Sequence, residues 1–363
     1  MLDSINPPKG FRKIFRRRPN FLEQGSEQGL PKKPNKKKFV ILVVLIIILI
    51  VPAFYIFKTG AAFSKIITIR NIAWEKIFGK LPSSEYTPPQ DPDRINALLL
   101  GIRGEGEADG GLLTDGIMIV SLQKSTGKVA LISVPRDLYL QMPGEAKYEK
   151  INAAYAIGLE KYGNGLDYVK KTLAYVSGLH IDYATEVNFE ALKDIVDLMG
   201  GVTIYLENKF VEDRQWLCDK NGQNCLPFVL EAGKQNLNGD AALLYVRSRF
   251  SSNDFDRARR QQQVLLAIKD KVLSLGILSD PLKVGGIIDV LSKNVKTDVG
   301  PWEIPELLKL ANKAKTESII RRVFENTPEG LLYETKINGI YVLLPIEGNF
   351  SKIREACQNI FNQ

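Results

Sequence analysis

The segment Ala130–Leu140, ALISVPRDLYL, is the stretch from which the fold can be predicted. It begins with mostly apolar or β-branched residues, which is typical of a buried strand, and Pro135 ends that strand. Two opposite charges, Arg136 and Asp137, follow directly. They either pair with each other or, because open α/β sheets bind ligands beyond the carboxyl ends of their strands, Arg136 faces an anionic ligand.

The segments around this one alternate between the period of strands and the period of helices. INALLLGI and GIMIVSL, residues 95–102 and 116–122, predict two strands, and an STGK turn joins the second to VALISV. Further on, INAAYAIGLEKY and LDYVKKTLAYVSGL predict helices, TEVNF a strand, EALKDIVDLMG a helix and GVTIYL a strand. This alternation predicts an α/β fold with helices packed on a sheet.

The N-terminal region predicts a membrane anchor. Residues 39–57, FVILVVLIIILIVPAFYIF, contain no charge, and nineteen helical residues are long enough to cross a bilayer. The alternative is a secretory signal cleaved near Gly60-Ala61-Ala62, although its apolar part would be shorter. Because residues 1–38 are basic, the positive-inside rule predicts a single-pass type II protein with an extracytoplasmic C-terminal domain. Residues 58–93 then form an amphipathic segment that contacts membrane lipid and a Pro-rich stalk.

The net charge of +8 is no indication of nucleic-acid binding. The first 38 residues hold 11 Lys or Arg and 3 acidic residues, so the rest of the chain carries 38 of each kind. The rest of the chain is therefore near neutral and gives no net charge that would favour nucleic acid as a partner. The excess belongs to the predicted cytoplasmic tail.

One basic cluster nevertheless stands out, in YVRSRFSSNDFDRARRQQQ, residues 245–263. Arg257 and Gln261 are four residues apart and so share one helix face, and planar arginine donors there could converge on an anion. The alternative is a solvated face on which Asp254 and Asp256 neutralise the arginines. The arginines of the cluster are Arg247, Arg249, Arg257, Arg259 and Arg260.

An acidic, glycine-rich loop, RGEGEADGGLLTDG, follows the first predicted strand. Its carboxylates, without His or Cys nearby, suit Mg²⁺, which commonly bridges one or two carboxylates to phosphates. Asp115 is the best placed because it adjoins the next strand, and the alternative for the loop is a flexible acidic surface. The acidic residues are Glu105, Glu107, Asp109 and Asp115.

A third candidate is YEKINAAYAIG, where Lys150 and Asn152 stand at a predicted helix start. A lysine at a helix N-terminus could bind an anion, or Asn152 could simply cap the helix.

Among the cysteines, Cys218 and Cys225 bracket a polar loop and predict a local disulfide, whereas Cys357 predicts a buried thiol in a C-terminal helix.

Several classes of chemistry are disfavoured. The chain has one His, and neither a catalytic triad order nor a P-loop or dinucleotide motif is present. Arginines, carboxylates and Mg²⁺ on the outer side of a membrane instead favour phosphoryl transfer on a lipid-linked phosphate.

In its combination of motifs the chain resembles the LytR-CpsA-Psr (LCP) family of bacterial cell-envelope proteins, over roughly residues 94–273. The resemblance implies a three-layer α/β/α sandwich with a central mixed sheet. It also implies an Mg²⁺-dependent enzyme that transfers a glycan from a polyprenyl-pyrophosphate carrier to peptidoglycan. The motifs are INALLLGI, LLTDGIMIVSL, VALISVPRDLYL, EKINAAYA, DYATEVNFEALKDIVDLMGGV, LNGDAALLYVRSR and DFDRARRQQQVL.

The resemblance also suggests roles for individual residues. Asp115 corresponds to the metal-binding aspartate of the family and is either a metal ligand or a base. An aspartate usual in the family after the first strand is replaced here by Arg103, so the second metal ligand is Glu105, Asp109 or the pyrophosphate itself. Asp137 would hold the guanidinium of Arg136. The implied pyrophosphate ligands are Arg136, Lys150, Arg249, Arg257 and Gln261, with Arg247 and Arg260 as further candidates and Arg249 as the residue on which turnover should depend.

Two rival functions remain open at this point. One is a lipid pyrophosphatase that uses water as the acceptor, and the other is a non-catalytic module that binds polyprenyl phosphates. The predicted catalytic domain covers residues 94–313, and residues 314–363 either extend it or complete it.

Overall fold

A six-stranded mixed sheet lies at the centre of the computed structural model. The residues described are 88–104, 111–217, 226–249, 251–274, 294–300, 302–303, 306–307, 310 and 319–362. The strands of this sheet are β1 (Arg94–Ile102), β2 (Thr114–Gln123), β3 (Val129–Ser133), β6 (Tyr183–Asn188), β11 (Val295–Thr297) and β12 (Ile319–Val323). From one edge of the sheet to the other, their order is β11-β6-β1-β2-β3-β12.

Strand directions decide which residues meet at each edge of the sheet. β2 runs antiparallel to β1 and β3, whereas β6 is parallel to β1 and β12 is parallel to β3. The carboxyl ends of β1, β3, β6 and β12 therefore lie at one edge, together with the amino end of β2. We refer to this edge as the carboxyl edge.

Helices cover both faces of the sheet. The described helices are α1 (Ala154–Tyr162), α2 (Gly165–Ser177), α3 (Phe189–Leu198), α4 (Gly239–Arg247), α5 (Asp254–Ser274) and α6 (Ser351–Gln358). Successive side chains of a strand point to opposite faces, so Met118 and Val120 of β2 pack with α3, α4 and α5. Ile117 and Ile119 pack with α1, α2 and α6. The prediction of an α/β fold around a central mixed sheet is confirmed.

Smaller two-stranded sheets surround this core. Their pairs are β4 (Tyr139–Gln141) with β5 (Tyr148–Lys150), β7 (Val202–Leu206) with β10 (Gly233–Leu237), β8 (Phe210–Leu217) with β9 (Leu226–Leu230), and β13 (Leu332–Ile337) with β14 (Ile340–Pro345). The β4–β5 hairpin matters for the site, because it brings Lys150 back beside Leu138 and Tyr139.

The C-terminal residues are integrated into the same sheet and layer. β12 is an edge strand of the central sheet, and α6 lies under the sheet's opposite end from the carboxyl edge. There Arg94 donates from Nη2 to the carbonyl of Cys357 at 2.9 Å, and Lys128 donates from Nζ to the carbonyl of Phe361 at 3.1 Å. Cys357 is fully buried with a free thiol, as predicted.

One of the two alternatives for the start of α1 is wrong. Asn152 does not cap a helix, because residues 151–153 form a 3₁₀ turn and the N-cap of α1 is Ala153, without a side-chain bond.

The predicted anchor, residues 39–57, and the Cys218–Cys225 pair lie outside the described residues. Over the part of the chain that is described, no helix combines the length and the apolar character that a membrane span requires.

Candidate active site at the carboxyl edge

Three charged residues meet at the carboxyl edge because of strand direction alone. Arg103 follows β1, Asp115 is the second residue of β2, and Arg136 lies three residues beyond β3. Nη1 of Arg136 bonds to Oδ1 of Asp115, and Nε of Arg103 lies 3.8 Å from Oδ2 of Asp115. The site therefore begins as a carboxylate held between two arginines.

Helix α5 adds a second carboxylate and a third arginine. Its first residue, Asp254, accepts bonds through Oδ2 from Nε of Arg136 at 3.0 Å and from Nη2 of Arg257 at 2.9 Å. The same Nη2 of Arg257 also bonds to the backbone carbonyl of Asp115 at 3.1 Å. Asp254 thus ties the start of α5 to the end of β3, a role that the sequence analysis did not assign to it.

The pKa values of the two arginines differ in direction. Burial lowers the pKa of Arg136, but the charges of Asp254, Asp115 and Asp137 outweigh burial, so the net pKa is raised. For Arg257, burial dominates and lowers the pKa; Asp254 opposes this, whereas the charge of Arg136 adds to it, and so does that of Arg249. The carboxylates of Asp254 and Asp115 and the cations Arg136 and Arg249 thus act on Arg257 in opposite directions, and burial is the first cause of its lowered pKa.

Asp137 pairs with Arg136, as the sequence suggested, but it has a second and closer partner in Lys150. Nζ of Lys150 lies 2.6 Å from Oδ1 of Asp137, whereas Nε of Arg136 lies 3.7 Å from Oδ2 of Asp137. Asp137 consequently holds Lys150 more closely than Arg136, and the close carboxylates of Arg136 are Asp115 and Asp254. The β4–β5 hairpin is what brings Lys150 to this position.

Gln261 is also placed at the start of β2. A side-chain carbon at Gly116 would lie 3.0 Å from Oε1 of Gln261, so the absence of a side chain there lets the amide approach the strand. Arg257 contacts the adjacent residue, Asp115, so the predicted shared face of Arg257 and Gln261 is confirmed.

The other predicted arginines lie around the same region in different environments. Arg249 follows the end of α4 at Arg247, and its charge reaches Arg257. The guanidinium of Arg247 lies 4.7 Å from the ring of Phe189, directly after β6. Arg260 points elsewhere: it bonds to the carbonyls of Tyr245 and Ser248 and, at 3.0 Å, to Oγ of Ser252.

Arg260 therefore supports the segment that carries Arg249. Its side chain is buried, and its three donor groups each face an acceptor on residues 245–252. Burial is also the first cause of its lowered pKa. Its predicted role as a substrate ligand is not tested by these contacts.

The carboxylate oxygens of the site are suited to Mg²⁺, which binds one or two protein carboxylates together with substrate phosphates. Asp115 supplies such a group, while Asp109 and Glu105 lie outside the described residues. Within the described ranges, no group of three or more His, Cys, Asp or Glu side chains could hold a metal ion. A metal here would have to share its shell with a ligand.

Comparison with known proteins places this fold and site in a family. The LytR_cpsA_psr family model matches residues 68–359. The chain belongs to the LytR-CpsA-Psr family. The match extends over most of the chain and includes every site residue described above.

Curated relatives and a solved structure agree with this assignment. The chain is 34% identical over 207 residues to the polyisoprenyl-teichoic acid–peptidoglycan teichoic acid transferase TagU of Bacillus mycoides (strain KBAB4), covering 56% of this chain and 60% of that protein. It is 30% identical over 253 residues to TagT of Bacillus subtilis (strain 168), which carries the same transferase name, covering 69% and 73%. A structure described as TagT bound to LIIa-WTA has a TM-score of 0.55 and 25% identity, covering 75% of this chain and 92% of that one.

Proposed function

We propose that this protein transfers a glycopolymer from a polyprenyl-pyrophosphate carrier to peptidoglycan at the outer face of the membrane. The observation that carries the proposal is the charge balance of the carboxyl edge. Five cations and three carboxylates meet there, which leaves two positive charges, and a pyrophosphate diester carries about two negative charges. These residues are Arg103, Arg136, Lys150, Arg249 and Arg257 with Asp115, Asp137 and Asp254.

The names of the relatives supply the donor and the acceptor in this proposal. TagU and TagT are named as transferases of polyisoprenyl-linked teichoic acid to peptidoglycan, and the chain spans 60% of the length of the first and 73% of the second. For the donor of this chain we therefore propose a class of molecule, a glycopolymer linked to polyprenyl pyrophosphate.

In the proposed reaction, Arg136, Arg257 and Lys150 bind the pyrophosphate oxygens. A sugar hydroxyl of peptidoglycan attacks the phosphorus bonded to the glycan, and the bond from that phosphorus to the bridging oxygen breaks. Polyprenyl phosphate leaves with that oxygen and takes up the proton that the hydroxyl loses. Arg249 neutralises the charge that develops on the leaving phosphate, because preorganised donors act most strongly where charge appears. Gln261 positions the donor over the start of β2.

We assign Asp115 to anchoring rather than to proton transfer, since Arg136 already bonds to its Oδ1. Mg²⁺ would be held by Asp115 and pyrophosphate oxygens, with Asp109 as a further candidate ligand, and would supply neutralisation of phosphate charge. Phosphoryl transfer through a loose transition state needs positioning and charge stabilisation more than a strong base.

The test uses the full chain in detergent with a radiolabelled, short-chain polyprenyl-pyrophosphate donor and peptidoglycan fragments, with Mg²⁺ or with EDTA. We expect label in the peptidoglycan with Mg²⁺ and not with EDTA. Free labelled glycan would instead identify a lipid pyrophosphatase. A donor that binds and stays intact would identify a non-catalytic binding module.

Arg249→Ala provides the first site variant. We expect transfer to fall by about 10²–10³-fold, the usual effect of removing one donor that stabilises developing charge. Lys234→Ala, an exposed lysine on β10, is the matched control and should retain wild-type transfer. If Arg249→Ala transfers glycan at the wild-type rate, Arg249 does not have the proposed role.

A further inference from the structure

A second concave region lies beside the candidate site, beyond the end of β12. It is a groove of about 490 Å³. Arg259 of α5 and Arg321 of β12 line it together with Glu325, Thr327 and Glu329 of the segment that follows β12. We call this region the β12 groove, and its lining is predominantly polar.

Helix α5 fixes the position of the β12 groove relative to the site. The helix crosses the carboxyl edge, so that Gln261 contacts Gly116 of β2, and Gln262 bonds to Oγ of Ser133 on β3 at 2.9 Å. At the far side of the helix, Nη2 of Arg259 lies 2.5 Å from Oε1 of Glu325, beyond β12. The groove is therefore displaced from Asp115 by two strand spacings, or about 10 Å.

The walls of the groove are held in place from both sides. Gln262 is buried and bonds also to the carbonyl of Arg322 at 3.2 Å, so α5 and β12 are joined beneath the groove. Arg259 bonds to Asp256 at 2.7 Å as well as to Glu325. A preformed wall of this kind reduces the ordering that a ligand must impose when it binds.

The chemistry of the groove suits a hydrated, mixed-charge polymer. Three arginines, Arg259, Arg321 and Arg322, line it together with Glu325 and Glu329, and these side chains offer donors and acceptors for sugar hydroxyls, amides and carboxylates. A polyprenyl chain would find mainly polar surface there, with a smaller apolar part to which Val323 and Leu331 belong, and a polyanionic glycan would leave Glu325 and Glu329 without partners on the glycan. A peptidoglycan strand carries hydroxyl, amide, carboxylate and amino groups and so matches both kinds of charge.

We propose that the β12 groove receives the acceptor, a peptidoglycan glycan strand, and presents its hydroxyl to the donor at the carboxyl edge. This inference rests on the proposed function, since it names where the second substrate of that reaction binds. Helix α5 borders both regions, since Arg259 lines the groove and Arg257 donates to the carbonyl of Asp115 at 3.1 Å.

The test measures donor and acceptor separately in the full chain. Two groove variants are used: Arg321→Glu reverses a charge at an exposed position, and Thr327→Trp fills space at another. Lys234→Glu makes the same charge change at an exposed position outside the groove. Donor binding is measured with the short-chain polyprenyl-pyrophosphate glycan, and acceptor binding directly with soluble, uncrosslinked peptidoglycan strands.

We expect both groove variants to bind peptidoglycan strands about tenfold more weakly, as for the loss of a charged hydrogen bond. The strand concentration that gives half-maximal transfer should rise by the same factor. Donor binding and the Lys234→Glu control should be unchanged. If strands bind wild type and not the groove variants while no transfer occurs, the groove assignment holds and the proposed reaction fails. Equal strand binding in all variants, no strand binding at all, or weakened donor binding would overturn the groove assignment.

Discussion

At the scale of single residues, Arg136 shows how a strand end becomes a binding site. It bonds to Asp115 and, at 3.0 Å, to Asp254, which stands 118 residues away in the sequence. Its neighbour Asp137 lies 3.7 Å from it and pairs more closely with Lys150, at 2.6 Å. The arginine is thus held by carboxylates from two other elements, so its guanidinium is fixed before any anion arrives.

The charge of Asp254 should contribute to the free energy of unfolding when no ligand is bound. Asp254→Asn removes the carboxylate shared by Arg136 and Arg257, and we expect the free energy of unfolding to fall by about 1–3 kcal/mol. Inorganic pyrophosphate would replace the lost charge. It should therefore raise the melting temperature of the variant more than that of wild type, which differential scanning fluorimetry can measure.

Asp256→Asn is the control for that experiment. Asp256 pairs with Arg259 at 2.7 Å, and the two side chains are 39% and 47% exposed, so little stability should depend on them. Equal pyrophosphate shifts in Asp254→Asn and wild type would contradict the role given to Asp254.

Because the thiol of Cys357 is buried, we expect the free energy of unfolding to depend on pH. Burial raises the pKa of its thiol from 9.0 to about 12, although the charges of Arg94 and Arg322 partly oppose this. Between these values the unfolded chain loses the thiol proton before the folded chain does. The free energy of unfolding is therefore fully retained below about pH 9 and falls as the pH rises towards 12.

Urea unfolding at about pH 8 and about pH 10 provides the measurement, with Cys357→Ala as the comparison. Wild type should lose more stability between the two pH values than the variant, since the variant has no thiol at this position to ionise. The same loss in both proteins would show that ionisation of Cys357 does not contribute.

The residue scale also shows what could be read from the sequence. Asp115, Arg136, Arg257 and Gln261 were recognisable because each stands at a strand end or on one helix face of a distinctive motif. Asp254 appeared there only as a neutralising partner of nearby arginines. Its contact with Arg136 depends on the packing of α5 against the sheet, and no local pattern encodes a contact over that separation.

At the scale of elements, α5 connects the site to three neighbouring strands of the sheet. Its successive residues Gln261 and Gln262 contact β2 and β3, and Arg259 reaches the segment beyond β12. The apolar and β-branched runs of β1, β2 and β3 predicted those strands. The pairing of β12 with β3 could not be predicted, because the order of strands across a sheet is decided by non-local packing.

Gln262 is the buried joint between α5 and the sheet. Gln262→Leu leaves the hydroxyl of Ser133 and the carbonyls of Leu131 and Arg322 without this donor. We expect the free energy of unfolding to fall by about 1–3 kcal/mol, as for other buried polar groups left unpaired. Chemical denaturation with an unchanged m-value would measure this cost.

The adjacent Gln263→Leu is the matched control. Gln263 donates to the carbonyl of Tyr205 at 2.7 Å in an exposed position, where water can replace the lost bond, and accepts one bond from the hydroxyl of Tyr245 at 2.8 Å. Gln263→Leu should therefore lower the free energy of unfolding by less than Gln262→Leu does. A cost as large as that of the buried glutamine would mean that α5 is held elsewhere than through Gln262.

At the scale of the whole molecule, the charge distribution and the site together favour one arrangement across the membrane. The basic excess lies in residues 1–38, the uncharged run in residues 39–57, and the site is in the near-neutral body that follows. Peptidoglycan is assembled outside the membrane, so the proposed reaction requires the body to be extracytoplasmic. The positive-inside rule predicts the same orientation independently of the site.

Protease treatment of intact protoplasts that produce the full chain tests this orientation. With one epitope at the N-terminus and another at the C-terminus, we expect the C-terminal epitope to be removed and the N-terminal epitope to be protected. Disruption of the protoplasts should then expose the N-terminal epitope as well, which controls for its intrinsic sensitivity to protease. Protection of the C-terminal epitope in intact protoplasts would place the cationic site on the cytoplasmic side, where its proposed acceptor does not occur.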